Sequence, residues 1–159
     1  MENRNGLLVD LRIAEANGTA ERELAIQMID ENLQKNRHCT LAGDKGYDTA
    51  GFVAQCRERN VTPHVAQNER RPGGSALDRR TTRHAGYGIS QRIRKRVEEI
   101  FGWTKTVGNF RRTRFKGRAK TRLASYLVGA AYNLLRMAKL LSDAVISRPP
   151  RAARRGVAP

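Results

Sequence analysis

The chain has 159 residues, enough for one domain or a piece of one, and 39% of them are hydrophobic. Its formal net charge of +16 indicates polyanionic partners, nucleic acid first and an anionic membrane surface second. Residues 1–68 carry 8 Lys/Arg and 10 Asp/Glu, whereas residues 69–159 carry 23 and 5. The second part is therefore predicted to offer a surface for phosphates. Charge alone is equally consistent with a basic protein that performs no chemistry.

Cysteine content and hydropathy also indicate the cellular compartment in which the protein is expected to reside. Two cysteines, Cys39 and Cys56, are too few for a disulfide framework and lack metal-type spacing, which predicts a reducing cytoplasm. No run of about 18 apolar residues exists, so no membrane span is predicted, and the N-terminus lacks the apolar core of a signal peptide. The stretch 123–141 is fairly apolar, but Arg136 and Lys139 interrupt it, which favours a packed helix.

The first predicted element is a strand at Leu7–Ile13, where apolar and polar residues alternate. Asn5-Gly6 just before it is a hairpin turn signal. Thr19 is the expected N-cap of a helix that runs to about Asn32. The inward face of this helix is predicted to consist of Leu24, Ala25, Met28 and Ile29.

The next segments alternate between strand and helix. A short strand, Cys39–Gly43, ends at Asp44, and Asp48 is predicted to cap a second helix over about residues 49–59. Residues 61–66 form a further predicted strand. This order predicts an α/β layered domain.

The second half of the chain is predicted to be mostly helical. Residues 67–88 are a long polar loop of functional or mobile character, and a helix follows over about 89–107. A basic link at 108–120 leads to a last helix at about 121–145. Apolar residues at helical spacing predict that this last helix packs across the sheet as core: Leu123, Leu127, Ala130, Ala131, Leu134, Leu135 and Ala138.

Two acidic residues stand out as candidates for chemistry. On a regular helix, Arg94, Glu98 and Lys105 fall on one narrow stripe beside an apolar face, where Glu98 can stay ionised and reach a metal. The alternative is an ordinary surface pair between Arg94 and Glu98. Asp44 follows a strand, and sites in open α/β sheets gather outside the carboxyl ends of strands. The alternative is a turn or capping Asp. The apolar face of the helix is predicted to consist of Ile89, Ile93, Val97, Ile100 and Phe101.

These residues resemble a known family. Residues 41–48, Leu-Ala-Gly-Asp-Lys-Gly-Tyr-Asp, are similar to the strand that carries the second catalytic Asp in DDE transposases of bacterial insertion sequences. Arg94-x3-Glu98-x6-Lys105 matches the Arg, Glu and Lys of that group's Tyr-x2-Arg-x3-Glu-x6-Lys signature. Gln91 stands where the signature has Tyr, and Tyr87 is off register. Three further stretches strengthen the resemblance: 3–6, 62–68 and 90–105.

The resemblance implies a partial ribonuclease H-like fold, a mixed sheet flanked by helices with the first strand or strands missing. Residues 1–142 are then the C-terminal part of a DDE transposase catalytic domain, and residues 143–159 are a basic, Pro/Arg-rich disordered tail. The family's first catalytic Asp has no counterpart here, and Asp10 is the only tempting substitute. The chain is therefore expected to be a truncated, catalytically incomplete transposase that still binds DNA.

The resemblance also implies the chemistry. Asp44 and Glu98 would be catalytic residues and ligands of Mg²⁺ (or Mn²⁺), two ions of which would clamp the attacking and leaving oxygens in the complete enzyme. Arg94 and Lys105 would neutralise phosphate charge or position the transposon end. The partner is double-stranded DNA, as transposon ends and as target, in the cytoplasm at the nucleoid.

The basic link is the second candidate DNA surface. Its cations Arg111, Arg112, Arg114 and Lys116 are expected to contact phosphates, while Phe110 and Phe115 are expected to pack rather than stack on bases. Two rival functions remain: a non-catalytic basic nucleic-acid-binding protein, and an inactive subunit that regulates a full-length transposase. Homo-oligomerisation or association with such a transposase is compatible with each of these functions.

Overall fold

The structure, a computed structural model, describes residues 1–34 and 37–146. In chain order its elements are α1 (Ala20–Asn32), β1 (Cys39–Gly43), α2 (Ala50–Glu58), β2 (Val61–Val65), α3 (Arg79–Thr82), α4 (Ala85–Ile93), α5 (Arg96–Thr106) and α6 (Arg118–Ile146), with a 3₁₀ turn at Lys45–Tyr47. The tail was predicted to be disordered over residues 143–159, but residues 143–146 belong to α6, so that part of the prediction is wrong; residues 147–159 lie outside the described residues. The last helix is confirmed and begins slightly earlier than predicted.

β1 and β2 form a parallel pair that α2 connects. Cys39 pairs with Val61 at one end of the ladder and Gly43 with Val65 at the other. Parallel strands need such a crossover helix, so the predicted α/β class is confirmed. Within the described residues the sheet is two-stranded and wholly parallel, rather than the mixed sheet that was predicted.

The core lies between this sheet and the helices beside it. It comprises Ile26, Ile29, Phe52, Val53, Cys56, Val61, Val65 and Leu77. Cys56 is fully buried, and burial raises the pKa of its thiol to about 12. The thiol therefore stays protonated and behaves as a small apolar side chain.

α1 has the predicted bounds and most of the predicted face, but its cap differs. Thr19 occupies the N-cap position without a side-chain hydrogen bond, and Asn17 Oδ1 instead accepts from the amides of Thr19 and Ala20. Ile29 is buried as predicted, whereas the other deeply buried side chain of the helix body is Ile26. Ala25 packs against the core as predicted, and Leu24 and Met28 are half-buried, so the predicted face is largely correct and the sequence missed only Ile26.

The predicted strand at Leu7–Ile13 is wrong. Within the described residues no strand lies beside this segment, so α6 satisfies part of its backbone instead. The Leu8 amide donates to Asn133 Oδ1 and Asn133 Nδ2 donates to the Leu8 carbonyl, both at 2.8 Å. Gly129 allows this approach, because a Cβ there would lie 2.8 Å from Leu8 Cδ2. The N-terminal segment is thus held by a helix rather than by a sheet.

The turn before this segment is present, although no hairpin follows it. The Glu2 carboxylate accepts hydrogen bonds from the backbone amides of Arg4, Asn5 and Leu7, and Gly6 has a positive φ of 72°. Burial raises the pKa of Glu2, but the three N–H donors outweigh it and lower the pKa overall. The Glu2 side chain therefore organises the turn.

The prediction that α6 packs as core is wrong for most of the residues on which it rested. Leu123, Leu127, Leu134 and Leu135 are 57–65% exposed. The buried side of α6 carries Ser125 and Gly129 instead, because small residues let the helix lie close to the N-terminal segment and α5. No helix among the described residues is long and apolar enough to span a membrane.

Candidate active site and nucleic-acid surface

Asp44 lies where the sequence placed it, immediately after β1. It is exposed, and its Oδ1 accepts a 2.7 Å hydrogen bond from the Gly46 amide at the start of the 3₁₀ turn. A Cβ at Gly46 would lie only 3.0 Å from Asp44 Oδ1, so glycine permits this contact. Asp44 is therefore both a capping residue and an acid at the carboxyl edge of the sheet.

Asp48 does not cap α2. The N-cap is Thr49, whose hydroxyl accepts from the Phe52 amide at 3.3 Å. The Asp48 side chain is 1% exposed and accepts from the amides of Asn68 at 2.6 Å and Ala76 at 2.9 Å. The sequence prediction missed this because the two donors lie about twenty or more residues away along the chain. Asp48 thus anchors the segment after β2.

The segment predicted as one long loop, residues 67–88, contains regular structure. α3 occupies Arg79–Thr82, and α4 already begins at Ala85. Between β2 and α3 the backbone folds around Asp48, and Arg71 donates to the Asp48 carbonyl at 2.9 Å. Leu77 joins the core. The segment is therefore tied to the sheet rather than free.

α4 is fixed to β2 by hydrogen bonds at the carboxyl end of the sheet. The Tyr87 hydroxyl donates to the Val65 carbonyl at 3.0 Å, and Gln91 Nε2 donates to the His64 carbonyl at 2.6 Å. His64 Nδ1 lies 2.7 Å from Ser90 Oγ. Val65 pairs with Gly43, the residue before Asp44. The helix that leads to Glu98 is therefore attached at the strand end that carries Asp44.

The helix predicted over residues 89–107 is interrupted. α4 ends at Ile93, and two short-range bonds follow, from the Val97 amide to the Arg94 carbonyl at 3.1 Å and from the Glu98 amide to the Lys95 carbonyl at 3.0 Å. Such i→i+3 bonds tighten the turn and change the angle between successive residues. The single stripe through Arg94, Glu98 and Lys105 assumed an unbroken helix, and that premise is wrong.

The three signature residues nevertheless keep polar environments. Glu98 is exposed in the first turn of α5, where a carboxylate is favoured by the helix dipole, and Lys105 is exposed in its last turn. Arg94 is half-buried, and among the described residues its Nε is buried without a hydrogen-bond partner. One donor of this guanidinium is therefore unused within the described residues.

α5 is held by contacts on its other sides. Arg96 donates to the carbonyls of Asn3 and Arg4, at 2.5 and 3.2 Å, and the rings of Trp103 and Tyr132 meet edge to face at 5.5 Å. Of the predicted apolar face, Ile100 is buried, whereas Ile89 and Phe101 are exposed and that part of the prediction is wrong.

The basic link between α5 and α6 is exposed from Arg111 onward. Arg111, Arg112 and Arg114 line an open cavity of about 380 Å³ together with Asn109 and Thr113. Among the described residues, none of the four predicted DNA-binding cations of the link forms an ion pair; they are Arg111, Arg112, Arg114 and Lys116. These charges are therefore available to an external anion.

The two aromatic residues of the link do not share one environment. Phe115 is 47% exposed, so the expectation that it packs is wrong, whereas Phe110 is half-buried. Gly117, with a φ of +91° that glycine adopts without strain, lies between Phe115 and the start of α6. Phe115 is accessible for contact with a ligand.

Asp10, the substitute considered for the missing acid, is engaged in a structural cluster. Its Oδ2 accepts from Arg12 Nε at 3.1 Å and from Asn32 Nδ2 at 2.9 Å, and Arg12 also binds Glu31. Across residues 1–34 and 37–146, no group of three His, Cys, Asp or Glu side chains lies close enough to hold a metal ion.

Asp44 thus lies at the edge of the sheet where ligands bind in open α/β folds, and the separate basic surface would attract polyanions such as nucleic acid. The family model described as "Transposase DDE domain" matches residues 1–134, most of the chain. The chain therefore belongs to the DDE transposase family, whose function is the transposition of DNA. No curated protein and no solved structure matches it.

Sequence reasoning missed Gln91 and Ser90 as anchors of α4. Gln91 was noted only as a departure from the signature Tyr, yet its side-chain amide donates a hydrogen bond to the His64 carbonyl of β2. The available signal was its spacing: Tyr87 and Gln91 are four residues apart, one turn on the same helix face. Both bind adjacent carbonyls of β2.

Proposed function

We propose that the chain is an insertion-sequence transposase of the group with the Tyr-Arg-Glu-Lys signature, and that residues 1–142 correspond to the C-terminal part of its catalytic domain. The family match to residues 1–134 supports the transposase class. The spacing of Arg94, Glu98 and Lys105 and the strand that ends at Asp44 support the group. The observation on which the proposal mainly depends is the attachment of α4 at the strand end of Asp44.

In this proposal Asp44 and Glu98 are catalytic metal ligands for Mg²⁺ (or Mn²⁺). Both are exposed carboxylates, the hard oxygen donors that these ions prefer. Bound divalent ions would clamp the attacking and leaving oxygens of an in-line displacement at phosphorus. Asp44 keeps its orientation through the Gly46 amide. A third acid is not assigned to this chain, so metal affinity and turnover of the isolated chain are expected to be low.

The cations have two roles in the same proposal. Arg94 and Lys105 lie on either side of Glu98 in sequence and would hold the phosphate next to the reacting bond. Arg111, Arg112, Arg114 and Lys116 would bind the DNA backbone farther from it, since their charges are exposed and unpaired within the described chain. Double-stranded DNA is the partner, and localisation at the nucleoid follows from it.

Paramagnetic broadening by Mn²⁺ tests the metal site without requiring turnover. We expect Mn²⁺ titrated into the ¹⁵N-labelled chain to broaden the amides of Gly46 and Glu98 at the same metal concentration. Asp44→Asn and Glu98→Gln should each weaken both effects, because one ion would contact both carboxylates. Glu99→Gln, an exposed acid one residue away, is the matched control and should leave the broadening unchanged.

A different pattern would contradict the assignment. If Glu98→Gln leaves the broadening at Gly46 intact, the two acids do not share a site. If neither region broadens before the exposed acids elsewhere, the second candidate function gains: a DNA-binding protein that acts without metal chemistry. The exposed basic link is the observation that favours this alternative, because its cations need no acid nearby.

A further inference from the structure

Three side chains on one face of α4 bind two adjacent residues of β2. The Tyr87 hydroxyl donates to the Val65 carbonyl at 3.0 Å, and Ser90 Oγ lies 2.7 Å from His64 Nδ1. Gln91, which is half-buried, donates from Nε2 to the His64 carbonyl at 2.6 Å. Tyr87 and Gln91 are one helical turn apart. Two such attachments fix the direction of the helix axis as well as its position.

The end of β2 is in turn fixed to the residue that precedes Asp44. The Ala66 amide donates to the Gly43 carbonyl at 3.0 Å. A Cβ at Gly43 would lie 3.1 Å from Val65 Cγ1, so glycine permits this close packing of the two strand ends. Since Asp44 follows directly, any movement of α4 against β2 is also a movement relative to Asp44.

Short-range backbone bonds lead from Gln91 to Glu98. The Arg94 amide donates to the Ser90 carbonyl at 2.9 Å, and the Glu98 amide donates to the Lys95 carbonyl at 3.0 Å. Because these bonds continue across the break between α4 and α5, the direction in which α5 leaves depends on how α4 is oriented. Gln91 is the last of the three β2-bound side chains before the break, three residues before Arg94.

We propose that Gln91 is a positioning residue: its hydrogen bond to β2 sets the direction of α4 and thereby the separation of Glu98 from Asp44. This role rests on the proposed function, in which the two acids bind one metal ion. Ligands of a metal must be held within about 0.5 Å of their productive geometry by supporting hydrogen bonds. Gln91 supplies such support through α4 and is not itself a ligand.

Spin labels beside the two acids test the geometry without metal. Labels at Lys45→Cys and Glu99→Cys occupy exposed positions and leave both proposed ligands intact. They are introduced into a Cys39→Ser chain, in which the remaining Cys56 is fully buried. Double electron–electron resonance should give one narrow distance distribution for this parent chain.

Variants of Gln91 then separate positioning from stability. Gln91→Met keeps the length of the side chain without the donor and should broaden or shift the distribution, whereas Gln91→Lys keeps an N–H donor and should restore it. Gln55→Met, the same change at an exposed position of α2, is the matched control. Loss of stability alone leaves the distances within folded molecules unchanged. An unaltered distribution in Gln91→Met, no restoration by Gln91→Lys, or an equal change in Gln55→Met overturns the proposal.

Manganese titration connects this geometry to the metal site. In the chain without labels, Gln91→Met should raise the Mn²⁺ concentration that broadens the amides of Gly46 and Glu98 by about three- to tenfold, the effect of one hydrogen bond, although it removes no ligand. An altered distance distribution with unchanged Mn²⁺ broadening overturns the proposal. If the parent chain shows no broadening at either amide, the proposed metal function fails instead, and the spin-label distances still decide whether Gln91 sets the separation of the two acids.

Discussion

Asp48 is the most deeply buried acidic side chain among the described residues. It is 1% exposed, and each of its two carboxylate oxygens accepts one backbone amide, from Asn68 and from Ala76. A buried acceptor of this kind replaces the water that would otherwise solvate those amides. A single side chain therefore fixes the segment between β2 and α3.

Removing this side chain should destabilise the fold. Asp48→Ala leaves two N–H groups without their acceptor, and we expect it to lower the free energy of unfolding by about 2–4 kcal/mol. Asp48→Asn keeps one acceptor oxygen and should cost about half as much. Urea denaturation measures both, with exposed Glu69→Ala in the same segment as control. Equal stability of Asp48→Ala and the control would contradict this account.

His64 predicts a pH dependence. Its side chain is 6% exposed, and burial lowers its pKa below the ordinary value of 6.5, with a smaller effect of His38 and His84. The unfolded chain then takes up a proton at a higher pH than the folded chain. Stability should therefore be fully present above about pH 6.5 and fall as the pH drops toward the folded pKa.

Urea denaturation at a series of pH values between neutral and mildly acidic tests this assignment. His64→Asn keeps a nitrogen or oxygen near Ser90 but does not titrate, so its stability should vary less over that range. A variant curve parallel to that of the wild-type chain would show that another group is responsible.

At the scale of elements, α6 takes the place of a neighbouring strand. The Asn133 amide binds both the N–H and the carbonyl of Leu8, the two groups that a strand partner would bind. Arg136 and Tyr132 extend the contact to the carbonyls of Asn5 and Gly6. The extended N-terminal segment is thereby attached to a helix more than a hundred residues later.

Asn133→Ala should release this segment. Two backbone groups of Leu8 lose their partners, and we expect a loss of about 1–3 kcal/mol in unfolding free energy. Hydrogen exchange of the Leu8 amide should accelerate by a larger factor than that of amides in β1. Ser142→Ala, an exposed change on the same helix, serves as control and should change stability by less than about 0.5 kcal/mol. An unchanged exchange rate of the Leu8 amide would contradict the role of Asn133 in holding the N-terminal segment.

At the scale of the whole molecule, charge is separated along the chain. Residues 69–159 carry 23 Lys/Arg and only 5 Asp/Glu, whereas residues 1–68 carry 8 and 10, and the exposed link between α5 and α6 is rich in these cations. A surface of this kind binds DNA mainly by releasing counterions, so its affinity falls steeply with salt. Folding does not neutralise the link, since its four proposed DNA-binding cations form no ion pairs with the described residues.

Fluorescence anisotropy with a DNA duplex measures this dependence. Replacing Arg111, Arg112, Arg114 and Lys116 by Ala should flatten the plot of log affinity against log salt by about 3–4 units of slope, because each phosphate that a cation neutralises accounts for close to one unit. A charge-matched variant with four other exposed arginines replaced controls for net charge alone; these are Arg37, Arg70, Arg79 and Arg83. Equal flattening in both variants would contradict a localised surface.

Much of the local structure followed from the sequence. The helix that ends at Asn32, the strand before Asp44 and the second strand at Val61 were all predicted, because periodicity, caps and β-branched residues act over a few positions. The family resemblance was confirmed at the level of the DDE transposase. The assignment of Asp44 and Glu98 to a metal site stays a prediction.

The features that the sequence did not predict depend on contacts between residues far apart in the chain. The pattern at Leu7–Ile13 is that of a strand, but a strand needs a neighbour, and α6 takes that place. The apolar spacing of α6 identified a helix correctly, yet periodicity does not say whether an apolar face meets its own core or lies exposed at the surface. The break at residues 94–95 separates α4, which is anchored to β2, from α5, which is anchored to the N-terminal turn, and both anchors join residues far apart in the sequence. Sequence by itself determined the charge and those elements whose signals are local, while long-range packing decided the remaining elements and what each element faces.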